Sequence, residues 1–315
     1  MMNNGYTYLD RISRAQHGCS ALEYYVARHP HFTSAEWRER FRDGRITCAG
    51  IVLKEGDPLR AGQLLEYFRS PWAEPAVPGE LPILFQSERV MVFDKPDSMP
   101  VIPGGEYLEN SMVMAVRRRH GAALSPLHRL GRGTTGVILF TRTAEAAAAF
   151  SGMMRERRLQ KTYLALVHGS EMPESFTVDT PIGRVPHARL GEIHDVAPQG
   201  KASISHCMVL ARRAADDTAL VQVIIPTGRT HQIRIHLASI GHPLLDDAFY
   251  LGPDAGGVLQ SGAADTVLPG DAGYILHSWK LSYRDPFTDT ETEIVAPVRK
   301  EIVKWKLESE GRGEV

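Results

Sequence analysis

Cysteine is scarce in this sequence and long apolar runs are absent, and each of these gaps argues against a class of protein. The 315 residues hold only three widely spaced cysteines: Cys19, Cys48 and Cys207. An odd, scattered set argues against a disulfide framework and against a zinc cluster. No apolar stretch approaches the roughly 20 residues that cross a bilayer, and the N-terminus lacks a signal-peptide pattern. We therefore expect a soluble, monomeric, cytoplasmic protein that does not contact a membrane.

The chain as a whole has almost no net charge, but one segment of it is strongly basic. The net charge is −1. Residues 111–165 nevertheless carry ten Arg or Lys side chains against two acids. Solvated helix faces would explain any single basic cluster. A block this uneven inside a neutral protein indicates a polyanionic partner.

Prolines predict where the chain divides. Four of them lie between residues 70 and 82, a density that favours a stiff linker: Pro71, Pro75, Pro78 and Pro82. We therefore predict a small N-terminal domain, residues 1–78, and a larger domain, residues 79–315. The first domain is predicted to hold two short helices followed by a strand-turn-strand, an arrangement common in small RNA-binding domains. A cap that packs on the larger domain and binds nothing fits the same pattern.

The densest stretch of the larger domain is residues 127–143, LHRLGRGTTGVILFTRT. Three glycines within six residues predict a loop that turns tightly or allows close approach: Gly131, Gly133 and Gly136. The apolar run 137–140 that follows predicts a buried strand. His128 and Arg129 would thus stand at the mouth of a core strand, where ligands are often bound.

A second dense stretch is residues 226–243, PTGRTHQIRIHLASIGHP. Thr230 is predicted to cap a helix that ends near Gly241. The buried face of this helix is predicted to carry three apolar residues at helical spacing: Ile233, Leu237 and Ile240. Between the two stretches, Thr143 is predicted to cap a helix that reaches Arg158, and Lys161 begins a strand. Residues 251–270 are rich in glycine and predict a mobile surface loop.

Histidines are frequent, but their spacing does not predict a metal site. His231 and His236 are five residues apart, whereas two ligands on one helix face stand four apart. No acidic ligand accompanies them. The GRGTTG stretch lacks the lysine of a phosphate-binding loop and precedes a strand rather than a helix. We expect no metal and no cofactor.

Several segments together resemble one family. ILFQSERVMVFDKPDSMPVIPGG, PLHRLGRGTTGVILF, KTYLALVHG, PIGRV, GKASIS, PTGRTHQIRIHLASIGHPLLDD and ILHSWKLSY occur in the order and spacing of the RluA-type RNA pseudouridine synthases. The resemblance spans roughly residues 80–298. It implies an α+β fold in which a long mixed, mostly antiparallel sheet has its helices on one side. It also implies an activity, the isomerisation of uridine to pseudouridine in rRNA or tRNA without a cofactor.

The resemblance also implies roles for individual residues. Tyr163 matches the active-site tyrosine, which stacks on the base and exchanges a proton, and Arg229 matches a basic active-site residue. Leu130 and Ile233 would line the base pocket. The residues expected to hold RNA are His128, Arg129, Arg132, Lys161, His231, Gln232 and Arg234. Core packing for the tyrosine and ordinary surface positions for the arginines are the alternatives.

One departure from the family pattern bears on the activity. The family motif reads HRLD, and its aspartate either attacks the sugar carbon or takes a ribose proton; here that position is Gly131. Asp246, which stands where the family usually has glycine, is the most obvious stand-in, with Asp94 and Asp97 as weaker candidates. Three hypotheses follow: an enzyme in which the aspartate's role is displaced, an RNA-binding pseudoenzyme, and a scaffold that keeps the fold for packing. The retained polar pocket argues against the scaffold, and we expect an enzyme.

Overall fold

The computed structural model describes residues 2–29, 32–251 and 267–309. Its chain divides into two compact units, Met1–Pro75 and Ala76–Val315. This division falls within the proline-rich segment 70–82. Most of the loop predicted over 251–270 lies outside the described residues.

The first unit combines a four-stranded antiparallel sheet with two helices. Its elements are β1 (Tyr6–Arg11), α1 (Ala21–Arg28), α2 (Ser34–Arg42), β2 (Ile46–Cys48), β3 (Ile51–Val52) and β4 (Leu64–Arg69), with strand order β1-β4-β2-β3. Capping boxes start both helices, because Ser20 pairs with Glu23 and Thr33 with Glu36. The predicted helices and the β2–β3 hairpin are confirmed, whereas β1 was not predicted.

The second unit is built on one ten-stranded sheet. Its elements are β5 (Ile83–Gln86), β6 (Val90–Lys95), α3 (Met112–His120), β7 (Ser125–Pro126), β8 (Thr134–Thr141), α4 (Ala144–Arg155), β9 (Gln160–His168), β10 (Ser175–Val178), β11 (Ile182–His187), β12 (Gly191–Val196), β13 (Ser205–Arg213), β14 (Thr218–Ile224), α5 (Gln232–Ser239), β15 (Leu276–Arg284), β16 (Glu291–Val295) and α6 (Lys300–Ser309). Eight strands follow the order β10-β13-β14-β9-β15-β8-β6-β5, β16 pairs with β15, and β7 pairs with β8. Among the strands that the structure describes, only the pairing of β15 with β8 is parallel, so the predicted mixed, mostly antiparallel sheet is confirmed.

The central strand β8 is buried along its whole length. Ile138 and Phe140 pack in one hydrophobic core, while Val137 and Leu139 pack in another. Because successive side chains of a strand point to opposite faces, the two cores lie on opposite faces of the sheet. Residues of α3 and α5 join the first core and residues of α4 the second. The expectation of helices on one side only is therefore wrong.

Three local predictions need correction. Helix α4 ends at Arg155 rather than Arg158, because Arg157 adopts a left-handed φ of 58°. Helix α5 begins at Gln232, and its N-cap residue is His231 rather than Thr230. Ile240 lies beyond the end of α5 and is 40% exposed, so it does not belong to the buried face.

Candidate active site

The three residues predicted to contact the base come from different elements but share one hydrophobic core. Leu130 precedes β8, Tyr163 lies on β9 and Ile233 lies on α5, and all three are buried in that core. Tyr274, just before β15, belongs to the same cluster. The structure thus places residues of both motifs and two tyrosines in one aromatic and aliphatic core.

Tyr163 is buried against the neighbouring strand β15. It is only 5% exposed, and Ser278 of β15 is its direct cross-strand partner. Burial raises the pKa of Tyr163 to about 12, so the hydroxyl keeps its proton near neutral pH. The tyrosine is therefore a fixed ring with a protonated hydroxyl.

The glycines of the first motif have different physical reasons. Gly136 has a φ of 99°, and a β-carbon there would collide with the Ser278 carbonyl oxygen. Gly133 lies against the backbone of Ala272, whose Cα would be 2.9 Å from an added β-carbon. Gly131 does not share the positive φ of Gly136, and the three nearest neighbours of an added β-carbon would all be side-chain atoms.

Tyr274 occupies the space beside Gly131. A β-carbon on residue 131 would lie well within 3.0 Å of the Tyr274 hydroxyl oxygen, and the next neighbour is the Thr134 hydroxyl oxygen at 3.3 Å. The two hydroxyl oxygens share a hydrogen bond of 3.2 Å. Burial raises the pKa of the Tyr274 phenol, against the opposing effect of the nearby Arg234 guanidinium. A phenol thus stands where the family's carboxylate side chain would begin.

Arg234 is buried between this phenol and a carboxylate. Its guanidinium lies over the Tyr274 ring at 4.1 Å and over the Tyr250 ring at 4.8 Å. It also donates to both carboxylate oxygens of Asp247, at 2.6 and 2.8 Å, and neither side chain is more than 3% exposed. We call Gly131, Arg234, Asp247 and Tyr274 the closed corner of the site, because its charged groups are already paired.

A second group of basic residues is arranged differently. Lys161 Nζ is 3.4 Å from the Thr227 carbonyl oxygen, and the described residues place no carboxylate within 4.0 Å of it. Burial first, and the Arg229 charge second, lower the pKa of Lys161 to about 8. Burial and the Lys161 charge lower the pKa of His128 to about 3, and its buried Nε2 has no hydrogen-bond partner among the described residues. We call His128, Lys161 and Arg229 the open corner.

Short stretches of chain link the two corners. Leu130 stands between His128 and Gly131 in the chain, and Ile233 directly precedes Arg234. Lys161 and Tyr163 are two residues apart on β9, so they share one face of the sheet.

Gln232 organises the backbone around Arg229. Its Oε1 accepts hydrogen bonds from the Arg229 N–H at 3.0 Å and from the Thr227 hydroxyl at 2.9 Å. Its amide nitrogen donates to the Ile204 carbonyl at 2.8 Å. This side chain ties the turn before α5 together, which explains why Thr230 does not cap the helix.

His231 is fixed by a chain of hydrogen bonds. The Tyr250 hydroxyl donates to the His194 carbonyl at 2.9 Å, so His231 Nδ1–H is the donor of the 2.9 Å bond to Tyr250. Burial, with the Arg234 charge second, lowers the pKa of His231 to about 3. The ring is neutral and presents Nε2 as an acceptor.

The remaining predicted residues lie apart from these contacts. Arg129 is exposed. Arg132 donates to the Tyr107 hydroxyl at 2.8 Å and pairs with Asp271 at 2.9 Å. Asp246 is exposed and has a left-handed φ of 61°, a conformation that aspartate tolerates better than most residues. It is not among the three nearest atoms to the position that a Gly131 side chain would take, and its role as the stand-in stays a prediction.

Two further residues that sequence reasoning missed shape the loop. Lys95 is fully buried and its Nζ donates to the carbonyls of Pro96, Arg132 and Thr134, each at 2.9 Å. Arg299 donates to the carbonyls of Gly133 at 3.2 Å and Tyr274 at 3.1 Å. The sequence offered one signal, a lysine that ends the mostly apolar strand β6, and none for the arginine.

The described residues show neither a grouped set of metal ligands nor a helix that could span a membrane. Within 2–29, 32–251 and 267–309, no three His, Cys, Asp or Glu side chains are grouped so that they could hold a metal ion. In the same ranges, no helix combines the length and apolar character that spanning a bilayer would need.

Known proteins are similar to this chain along most of its length. The family described as RNA pseudouridylate synthase matches residues 89–239. A Synechocystis protein named as an uncharacterized RNA pseudouridine synthase is 38% identical over 90% of this chain and 95% of its own. The ribosomal large subunit pseudouridine synthase D of Xylella fastidiosa is 32% identical over 87% of this chain and 83% of its own.

A solved human structure, RNA pseudouridylate synthase domain containing 1, has the same fold. Its TM-score is 0.54 at 23% identity, over 72% of this chain and 86% of that one. The chain belongs to the RluA-type RNA pseudouridine synthases, as its motifs predict.

Proposed function

We propose that this protein isomerises uridine to pseudouridine in structured RNA, with rRNA or tRNA as the substrate. The observation that carries the proposal is that Leu130, Tyr163 and Ile233 share one hydrophobic core, while Lys161 and Arg229 form no ion pair among the described residues. Aromatic and aliphatic side chains of this kind suit a planar base, because they can hold it on both faces.

Lys161 and Arg229 of the open corner supply what an RNA backbone requires. Neither side chain forms an ion pair among the described residues, and Lys161 is buried. A buried cation without a counter-ion is costly, and a phosphate oxygen would satisfy it. Exposed Arg129 adds a third positive charge at the start of the same loop. These cations would help to offset the few kcal/mol needed to unstack the target uridine.

Tyr163 would contact the flipped base directly. Its ring is immobilised by β15, and its protonated hydroxyl can give a proton and then take one back as the base is detached and rejoined. The resemblance to the family assigns the same position to stacking and proton exchange. Tyr163→Phe should therefore keep RNA affinity and lose most of the rate.

The test uses the purified full chain and total RNA from cells that lack it. Chemical mapping of pseudouridine before and after incubation should show new sites, with rRNA the first candidate because the name of the Xylella relative refers to the large ribosomal subunit. Binding to the same RNA is measured in parallel at several salt concentrations. Tight, salt-dependent binding without any new pseudouridine would favour the pseudoenzyme, and absence of both would contradict an RNA function.

A further inference from the structure

We propose that the Tyr274 hydroxyl is the nucleophile of the isomerisation, in place of the carboxylate that the family carries at the position of Gly131. This inference rests on the proposed function and assigns one reacting group within that site. It starts from the volume beside Gly131, which the Tyr274 hydroxyl oxygen fills. Among the three atoms nearest to a β-carbon at residue 131, two belong to Tyr274 and one to the Thr134 hydroxyl, and none to a carboxylate.

The phenol is held in a fixed direction. Thr134 binds its oxygen at 3.2 Å, and the Arg234 guanidinium covers its ring at 4.1 Å. Arg299 binds its carbonyl oxygen at 3.1 Å. Tyr274 is 2% exposed and shares its hydrophobic core with Tyr163. These contacts fix the ring in place, with its hydroxyl beside Gly131 and Thr134 of the first-motif loop.

The nearest cation, Arg234, suits an oxygen that becomes negative, while burial and the carboxylates of Asp247 and Asp97 raise the pKa of the phenol. A guanidinium over the ring stabilises a phenolate through the ring's electrons, and Asp247 holds that guanidinium in place with two hydrogen bonds. The Arg234 charge also opposes the effect of burial on the phenol. A tyrosine nucleophile at an anomeric carbon has a chemical precedent in the sialidases.

The reaction balances without another reagent. The Tyr274 oxygen forms a bond to C1′ of the ribose as the C1′–N1 bond breaks, its electron pair leaves with the uracil, and the phenol proton passes to that uracil. After the base rotates, C5 forms a bond to C1′ and the C1′–oxygen bond to Tyr274 breaks. The released phenolate then takes the C5 proton, directly or through Tyr163. The enzyme returns to its starting state. The net change is that the C1′–N1 bond has been replaced by a C1′–C5 bond.

Single-turnover kinetics of Tyr274→Phe test the assignment. We expect a rate loss of at least about 1,000-fold with RNA affinity within about twofold of wild type, as for other nucleophile deletions. The control is Tyr283→Phe, which removes a buried hydroxyl without a partner among the described residues, from β15 and from the other core. Tyr283→Phe should retain the wild-type rate. Asp246→Asn tests the competing hypothesis that Asp246 takes the role of the family's aspartate.

Peptide mass spectrometry supplies a readout that does not depend on a variant. Wild type and Tyr163→Phe are quenched with acid during a single turnover, digested with nuclease and trypsin, and searched for a ribonucleotide on the peptide that contains Tyr274. A modified peptide, absent in Tyr274→Phe, is the expected result. Full activity of Tyr274→Phe, loss of activity without any adduct, or loss in Asp246→Asn alone would each overturn the assignment. If wild type forms no pseudouridine on any RNA, the proposed function fails first and this step fails with it.

Discussion

The closed and open corners each contain a buried cation, but only the cation of the closed corner has a carboxylate partner. Arg234 is buried with two hydrogen bonds to Asp247, whereas Lys161 is buried with one long bond to a carbonyl. A buried ion pair is retained by its geometry, and losing either partner leaves a charge that the interior cannot solvate. A buried cation without a carboxylate remains available to an anion from outside. The difference separates the part of the site that keeps its shape from the part that we expect to grip RNA.

The largest expected effect comes from breaking the closed corner. Asp247→Asn would leave the Arg234 charge buried without its partner, and we expect the free energy of unfolding to fall by about 3–5 kcal/mol. Urea unfolding followed by far-UV circular dichroism measures this. Asp246→Asn is the matched control, because it changes the exposed neighbour and should stay within about 0.5 kcal/mol of wild type. Equal stability of the two variants would mean that the buried pair does not hold this corner together.

A smaller effect is expected where Gly131 meets Tyr274. Gly131→Ala would push a methyl group into the phenol hydroxyl, and overpacking of this kind costs about 1–3 kcal/mol. Combining it with Tyr274→Phe removes the oxygen and leaves the ring carbon that carried it at an ordinary 3.6 Å. A double-mutant cycle should therefore show a favourable coupling of about 1 kcal/mol or more. Strictly additive losses would contradict the contact.

A substitution in the open corner should weaken RNA binding rather than lower the stability of the protein. Lys161→Met removes a buried cation that lacks a carboxylate, so the protein should be as stable as wild type or more so. RNA affinity should fall several-fold, and the slope of log affinity against log salt should decrease by about 1. Lys304→Met is the control, since that lysine is 79% exposed on α6. An unchanged salt slope for Lys161→Met would remove Lys161 from the interface.

The smallest effect is the pH dependence of the same contact. The pKa of Lys161 is about 8 in the folded protein against 10.5 for the free side chain, so the unfolded chain holds the extra proton between these values. The free energy of unfolding therefore rises with pH across that window. Below about pH 8 the cost of burying the charged lysine is fully present. RNA affinity should move the other way and fall as pH rises through about 8, because a phosphate favours the charged lysine. Titrations from about pH 7 to about pH 9 should show this trend in wild type but not in Lys161→Met.

Sequence patterns predicted the features that local residues determine. The apolar run of β8, the Thr143 cap and the two N-terminal helices follow from short-range rules, and so does the strand that carries Tyr163. The two motifs were recognised, but their contacts were not. Tyr274 reaches Thr134 from 140 residues away, and no local pattern marks it as a neighbour of Gly131. Helix α6 was missed although Ile302 and Trp305 show helical spacing, and the β11–β12 hairpin lacks the strict alternation that marks a strand.

The contact between Arg299 and the Gly133 carbonyl spans 166 residues and has a consequence for synthesis on the ribosome. A nascent chain that has emerged through Pro243 already contains both motifs and the basic residues of the open corner. It lacks Tyr274, β15 and the guanidinium that joins residue 274 to the first-motif loop. Because contacts between distant parts of a chain form late in folding, the first-motif loop reaches its final packing only after residue 299 has been synthesised.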